Sequence, residues 1–182
     1  MLFRFPDFFC HSINVCGISI NLSVGSESVD QFYNHKIPNP STKMTMTQQQ
    51  INVVRKTWSV FQKIDPVLIG EVFYEKLFTE HPFLRRLFTN STQSQARKLI
   101  GMLDVIISRI DSLEDLNKDL QSLAVRHAHY GVKSEYYQPV GIALLWMLRQ
   151  GLGEGWDDEV AAAWQACYDI IAGVMIKAGC SA

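Results

Sequence analysis

The chain has little of what would mark it as disulfide-stapled, zinc-clasped, nucleic-acid-binding or membrane-spanning. Its four cysteines are Cys10, Cys16, Cys167 and Cys180, with no CxxC among them. Two lie in an N-terminal tail and two in a helical pattern, so neither a disulfide framework nor a zinc site is expected. Lys and Arg number 17 against 18 Asp and Glu, a net charge of −1 with no basic block. Nothing in that balance favours nucleic acid or an anionic membrane. A run of about 20 uninterrupted apolar residues, the length a spanning helix needs, is missing. Internal repeats and low-complexity tracts are missing too, and no strand or hairpin signal follows residue 46. What is present is 47% hydrophobic and 19% charged, ordinary for one domain that buries a sizeable core.

Residues 1 to about 45 read differently from the rest. They carry Pro6, Gly17, Gly25, Pro38 and Pro40 and little helical periodicity. The opening MLFRFPDFFC invites a signal-peptide reading, but Pro6 and Asp7 interrupt its apolar part and only Arg4 is basic. The alternating run from Ile18 to Val24 is compatible with one strand, which would lack a partner. The tail is therefore expected to be poorly structured, with Met44 or Met46 as the functional start, and residues 46–182 to form the folded domain. A cytoplasmic location is expected.

Helical punctuation begins at once. Thr47 with Gln50 makes a capping box, and Ile51, Val54, Trp58 and Phe61 recur at three and four residues, the period of one helix face. Asp65-Pro66 starts a second helix with Gly70, Tyr74 and Phe78 on one stripe. A helical glycine costs about 1 kcal/mol relative to alanine, so another backbone is expected to come close at Gly70. His81-Pro82 opens a short turn ending at Phe88. A helix from about Ser94 to Ile110 turns Gln95, Leu99, Met102, Leu103, Ile106 and Ile110 inward. Glutamine is out of place in a dry core, because its amide needs partners. Later helices carry Tyr137, Val140, Leu144, Met147 and Leu148, then Val160, Trp164, Cys167, Ile171 and Val174, the last capped by Asp157 or Asp158. The expected fold class is all-α, with about seven helices of unequal length.

The helix from Leu113 places Leu113, Leu116, Leu120 and Leu123 on one stripe, and the next position that stripe demands is His127. Gly131 then supplies a helix stop. His127 has two readings: a core histidine satisfied by backbone, or a neutral imidazole whose outer nitrogen binds a metal or cofactor while its inner nitrogen bonds a carbonyl. His129 lies roughly 200° round the helix and should face water. A histidine ending one stripe, a glutamine heading another and Tyr74 beside a glycine on a third share one explanation: two faces converging on a flat cofactor.

The motifs FYEKLFTEHP…LF at 73–88, QARKL at 95–99, RHAHYGVKSEYYQPVG at 126–141 and AAWQACY at 162–168 occur in order. Together they make residues 48–179 resemble the globins, most closely bacterial single-domain haemoglobins of the flavohaemoglobin lineage, including the Hell's Gate type, and more distantly neuroglobin. The resemblance implies a globin fold around a haem pocket with haem b as cofactor. It implies His127 as the proximal ligand of the iron, Phe88 stacked on the haem, and Tyr74 and Gln95 as distal hydrogen-bonding residues. By the same resemblance Leu99 forms the ligand-pocket wall, Leu123, Val132, Tyr137 and Val140 line the proximal side, and Lys98 reaches a haem propionate. Gly70 and Ala96 match the small residues of a close helix crossing. Two departures stand out. Nothing resembling a reductase domain follows the haem-binding part, and the position of the glutamate in the lineage's His–Tyr–Glu network is Gly179.

The function so implied is reversible oxygen binding, for storage, delivery or scavenging, with carbon monoxide and nitric oxide as further ligands. The alternative is a nitric-oxide dioxygenase or nitrite reductase fed by a separate reductase. A gas or redox sensor is a third reading. A monomer or weak dimer is expected.

Overall fold

A computed structural model describes residues 13–15, 18–20 and 45–180, with the side chains of residues 13–20 and 113–115 outside the description. Most of the tail expectations lie outside the described residues. The exception is a correction: Ile18–Ile20 (β2) does not lack a partner, because Ile13–Val15 (β1) pairs with it antiparallel, Ile13 opposite Ile20. The partner was missed because a three-residue strand is too short to show period-two alternation.

From residue 48 onward the described chain is helical. It consists of α1 (Gln48–Phe61), α2 (Pro66–Glu80), α3 (Thr92–Ser108), α4 (Leu113–His129), α5 (Tyr137–Leu152) and α6 (Asp158–Gly179). A six-residue 3₁₀ turn, Pro82–Leu87, joins α2 to α3 and makes the seventh helical element of the expected seven. Three shorter 3₁₀ turns precede α4, α5 and α6. The starts are set by the residues that mark them in the sequence. Thr47 and Gln50 form the capping box of α1, Asp65 accepts from the Val67 amide at 2.8 Å ahead of Pro66, and Asp157 rather than Asp158 caps α6 through the Val160 amide at 2.8 Å.

α2 packs chiefly on α3 and α5, and α6 on α1 and α4. The α1 stripe is buried as its spacing requires, with Val54 and Trp58 almost fully enclosed. Gly70 lies against α3 so closely that a Cβ there would stand 2.3 Å from the Ala96 Cβ, which explains the glycine inside α2. α6 is long and apolar enough to cross a membrane by length and composition alone. Asp169 and Lys177 interrupt it, and Ala163, Trp164, Cys167, Ala172 and Met175 bury its inner face in the core. α6 is a core helix. By contrast the backbones of α3 and α4 stay apart: Ile106 of α3 packs in one cluster with Leu116, Leu120 and Ala124 of α4, and a cavity of ≈ 370 Å³ is lined by Met102 and Ile106 on α3 and Leu116 and Leu120 on α4.

Candidate functional site

α4 ends in a turn that fixes the place of its histidine. Gly131 adopts φ 83°, a left-handed conformation that glycine takes without steric cost. Its amide donates to the Ala128 carbonyl at 2.9 Å and the Val132 amide donates to the His127 carbonyl at 3.0 Å, the paired bonds of a Schellman stop. The His127 ring is pinned as well, with Nδ1 2.9 Å from the Leu123 carbonyl oxygen. A carbonyl only accepts, so Nδ1 carries the proton and Nε2 presents its lone pair. Nε2 has no hydrogen-bond partner among the described residues. Burial, above all, lowers the His127 pKa; the Leu123 bond works against this and the neighbouring Arg126 charge adds to it. A neutral imidazole with one free nitrogen is the form a metal binds. His129 is exposed, as the helix geometry demands.

The facing side is built by α2, the 3₁₀ turn and the head of α3. Tyr74 is 5% exposed and sits in an aromatic cluster, 5.5 Å from Phe78 and 5.3 Å from Phe88 between ring centres. Its hydroxyl has no partner among the described residues, yet none of their polar side-chain atoms is both sealed from solvent and unpaired. The hydroxyl therefore opens into the space that Tyr74 lines, a cavity of ≈ 130 Å³ shared with Phe78, Phe88 and Gln95. Gln95 is half-buried in the first turns of α3, and its amide is likewise unpartnered among the described residues. Burial raises the Tyr74 pKa well above the ordinary phenol range, so the group stays a neutral donor.

The inward stripes of α3 and α4 are buried at Leu103, Ile106, Leu116 and Leu120, but each is left partly open toward the site, where Leu99 and Met102 on α3 and Leu123 on α4 are half-buried. Apolar stripes left partly open across a gap, with a free imidazole nitrogen on one helix and unpartnered donors by the other, suit a flat apolar group held edge-on between them.

The globin family profile matches residues 71–175. The chain belongs to the globin family. This globin is 29% identical over 134 residues to a flavohemoprotein of Vibrio cholerae, covering 72% of its own length and 34% of the relative. It thus spans about a third of the length of the flavohemoproteins that it matches. A globin-like protein of Aquifex aeolicus is 28% identical over 131 residues, with 92% of that protein covered. Among solved structures, an engineered carbene transferase from Rhodothermus marinus, assigned as a nitric oxide dioxygenase, superposes with a TM-score of 0.68. It is 26% identical, and the match covers 75% of this chain and 95% of that one.

The remaining residues named from the sequence fall around the same globin core. Phe88, Leu99, Val132, Tyr137 and Val140 are half-buried against the main cluster, and Leu123 packs with the α4–α6 cluster. Lys98 is exposed, makes no ion pair among the described residues and lines neither cavity. His127 lines neither cavity itself; Arg126 beside it borders the larger one. Tyr137, pushed up to about 12 by burial with Cys180 adding to the shift, supplies its carbonyl to the Tyr168 hydroxyl at 2.5 Å. Gly179 lies beside α4: a Cβ there would meet the Ala124 oxygen at 3.8 Å and the Ala128 Cβ at 3.9 Å, ordinary contact distances. Sequence reasoning missed Arg85 and Asn90 at the smaller cavity. Their exposed, polar character carries no periodic signal, and only the turn between α2 and α3 brings them there.

Proposed function

We propose that this globin holds haem b through the Nε2 atom of His127 and binds oxygen reversibly for storage, delivery or scavenging, with carbon monoxide and nitric oxide as competing ligands. The observation that carries the reading is the His127 ring, fixed by Leu123 through Nδ1 with Nε2 unpartnered among the described residues. When bound, the haem iron supplies reversible coordination of a diatomic gas. The chain's own residues do the rest. Leu99, Leu123, Val132, Tyr137 and Val140 supply apolar walls that keep water out, and Phe88 is an aromatic ring for the macrocycle to stack on. Tyr74 and Gln95 donate hydrogen bonds to a ligand that gains partial negative charge. A hydrogen bond to a charged acceptor contributes roughly 1.5–3 kcal/mol, enough to slow release by about tenfold to a hundredfold. Tight binding and slow release follow. Lys98, exposed and unpaired, remains available to a haem propionate.

A second reading has support from the likeness to flavohemoproteins and to the Rhodothermus marinus protein. In it the same pocket serves nitric-oxide dioxygenation or nitrite reduction, with electrons from a separate reductase. Gly179 weighs against the self-contained form, since a carboxylate at that place would strengthen electron donation by the histidine. Turnover of nitric oxide with a generic reductase separates the two: oxygen binding with negligible turnover supports the first reading, and sustained turnover supports the second. A cytoplasmic location and a monomer or weak dimer belong to the same proposal, and fractionation and sedimentation test them.

A further inference from the structure

We propose that Arg85, at the mouth of the smaller cavity, is the residue that makes this pocket select for a small planar oxyanion such as nitrite over a neutral ligand. The inference rests on the haem reading for what lies beyond the cavity, and it adds a specificity-determining residue that neither reading of the pocket uses. Of the polar residues lining the cavity, Tyr74, Arg85, Asn90, Thr92 and Gln95 all offer donors, and no lining residue is acidic. The cavity stands at the head of α3, a 17-residue helix whose first turn carries no acidic side chain to oppose its positive end.

Arg85 is held by stacking, with its guanidinium carbon 4.8 Å from the Phe78 ring centre, and Phe78 in turn lies 5.2 Å from Phe88. The guanidinium makes no ion pair among the described residues, so its planar fork is open to a planar anion. The independent sign of a ligand is Tyr74, 5% exposed with an unpartnered hydroxyl opening into the same space. A neutral gas engages one or two of these donors. An oxyanion engages Arg85 at the rim and an amide or hydroxyl within, and a volume of ≈ 130 Å³ admits an ion of three or four heavy atoms.

The same chemistry has a second source, since a haem propionate is also a carboxylate. The experiment separates them by titrating the ferric, haem-loaded full chain with nitrite and with neutral imidazole, followed by the Soret band, in the parent, Arg85→Gln and Arg85→Lys. Haem loss to apomyoglobin is timed in parallel. The expected result is nitrite weakened roughly tenfold in Arg85→Gln and only partly restored in Arg85→Lys, which keeps the charge but not the planar fork, with imidazole affinity and haem loss within about twofold of the parent. Nitrite affinity unchanged in Arg85→Gln overturns the proposal, and so does parallel weakening of nitrite and imidazole. Faster haem loss with unchanged nitrite gives Arg85 to the propionate and overturns it too. Should the parent take up no haem, the haem reading fails by itself and the rim is judged by thermal unfolding. A nitrite-dependent rise in Tm that Arg85→Gln loses supports the site; no rise in the parent ends it.

Discussion

Tyr74 keeps a hydroxyl among the rings of Phe73, Phe78 and Phe88 without a partner among the described residues. A hydroxyl that opens into a cavity and bonds no described residue adds little to stability, so stability alone would not disfavour phenylalanine. Tyr74→Phe keeps the ring and removes only the donor, so it should leave the urea midpoint unchanged or higher. Oxygen release from the haem-loaded chain should become at least about tenfold faster, and carbon monoxide release, from a less polar ligand, should change much less. Stopped-flow dissociation beside equilibrium unfolding reads both. An oxygen rate within about twofold of the parent would leave Gln95 or water as the main donor. Tyr74, Gln95 and His127 were legible in the sequence because each is a polar residue where a helical stripe calls for an apolar one. Arg85 was not, because an exposed arginine in a turn looks alike whether it faces bulk water or a cavity.

At the level of elements, the crossing of α2 over α3 sets the distance between Tyr74 and Gln95. A methyl group at Gly70 would fall 2.3 Å from the Ala96 Cβ and 2.6 Å from its Cα, neither of which is the end of a flexible side chain. Gly70→Ala gains helix propensity of about 1 kcal/mol, but forcing the helices apart costs typically about 1–3 kcal/mol, so a net loss of stability is expected. Urea unfolding measures it, and an unchanged or higher midpoint would show that the crossing yields easily. Gly179 offers the opposite case, because a side chain there meets α4 at ordinary distances. Gly179→Glu should fold normally and raise the iron–histidine stretching frequency of the ferrous, haem-loaded chain by placing a carboxylate on the proximal side. An unmoved frequency would show that the carboxylate does not reach the His127 environment. Helix starts and the α1 stripe were readable from local chemistry, since caps and periodicity act within a few residues. The close approach at Gly151 was not: α5 ends at Leu152, and Gly151 makes room for the Phe61 ring, 2.4 Å from where its Cβ would stand. That contact joins helices far apart in the chain.

For the molecule as a whole, the half-buried His127 links the fold to pH. Its pKa in the folded state lies below the ordinary 6.5, so the unfolded chain binds the proton more readily. The associated stability is present above about pH 6.5 and is lost as pH falls toward the folded value. The haem-free chain should therefore show a urea midpoint that drops between pH 7 and pH 5, and His127→Leu should reduce that drop. An identical drop in the variant would place the acid sensitivity elsewhere. The helical architecture was readable because one domain's core follows from amphipathic stripes. Two faces converging on a flat cofactor were readable from the polar breaks in the stripes, but the residues that line the cavity between α3 and α4 were not, because periodicity shows which face turns inward but not what meets it. Everything proposed for the site rests on the claim that this gap receives haem on His127 and not on His129. Absorption titration of the full chain with haem tests that claim most directly, comparing the parent with His127→Ala and His129→Ala. The account predicts one-to-one uptake with a sharp Soret band in the parent and in His129→Ala, and no stable uptake in His127→Ala. Normal uptake by His127→Ala, or its loss in His129→Ala alone, would contradict it.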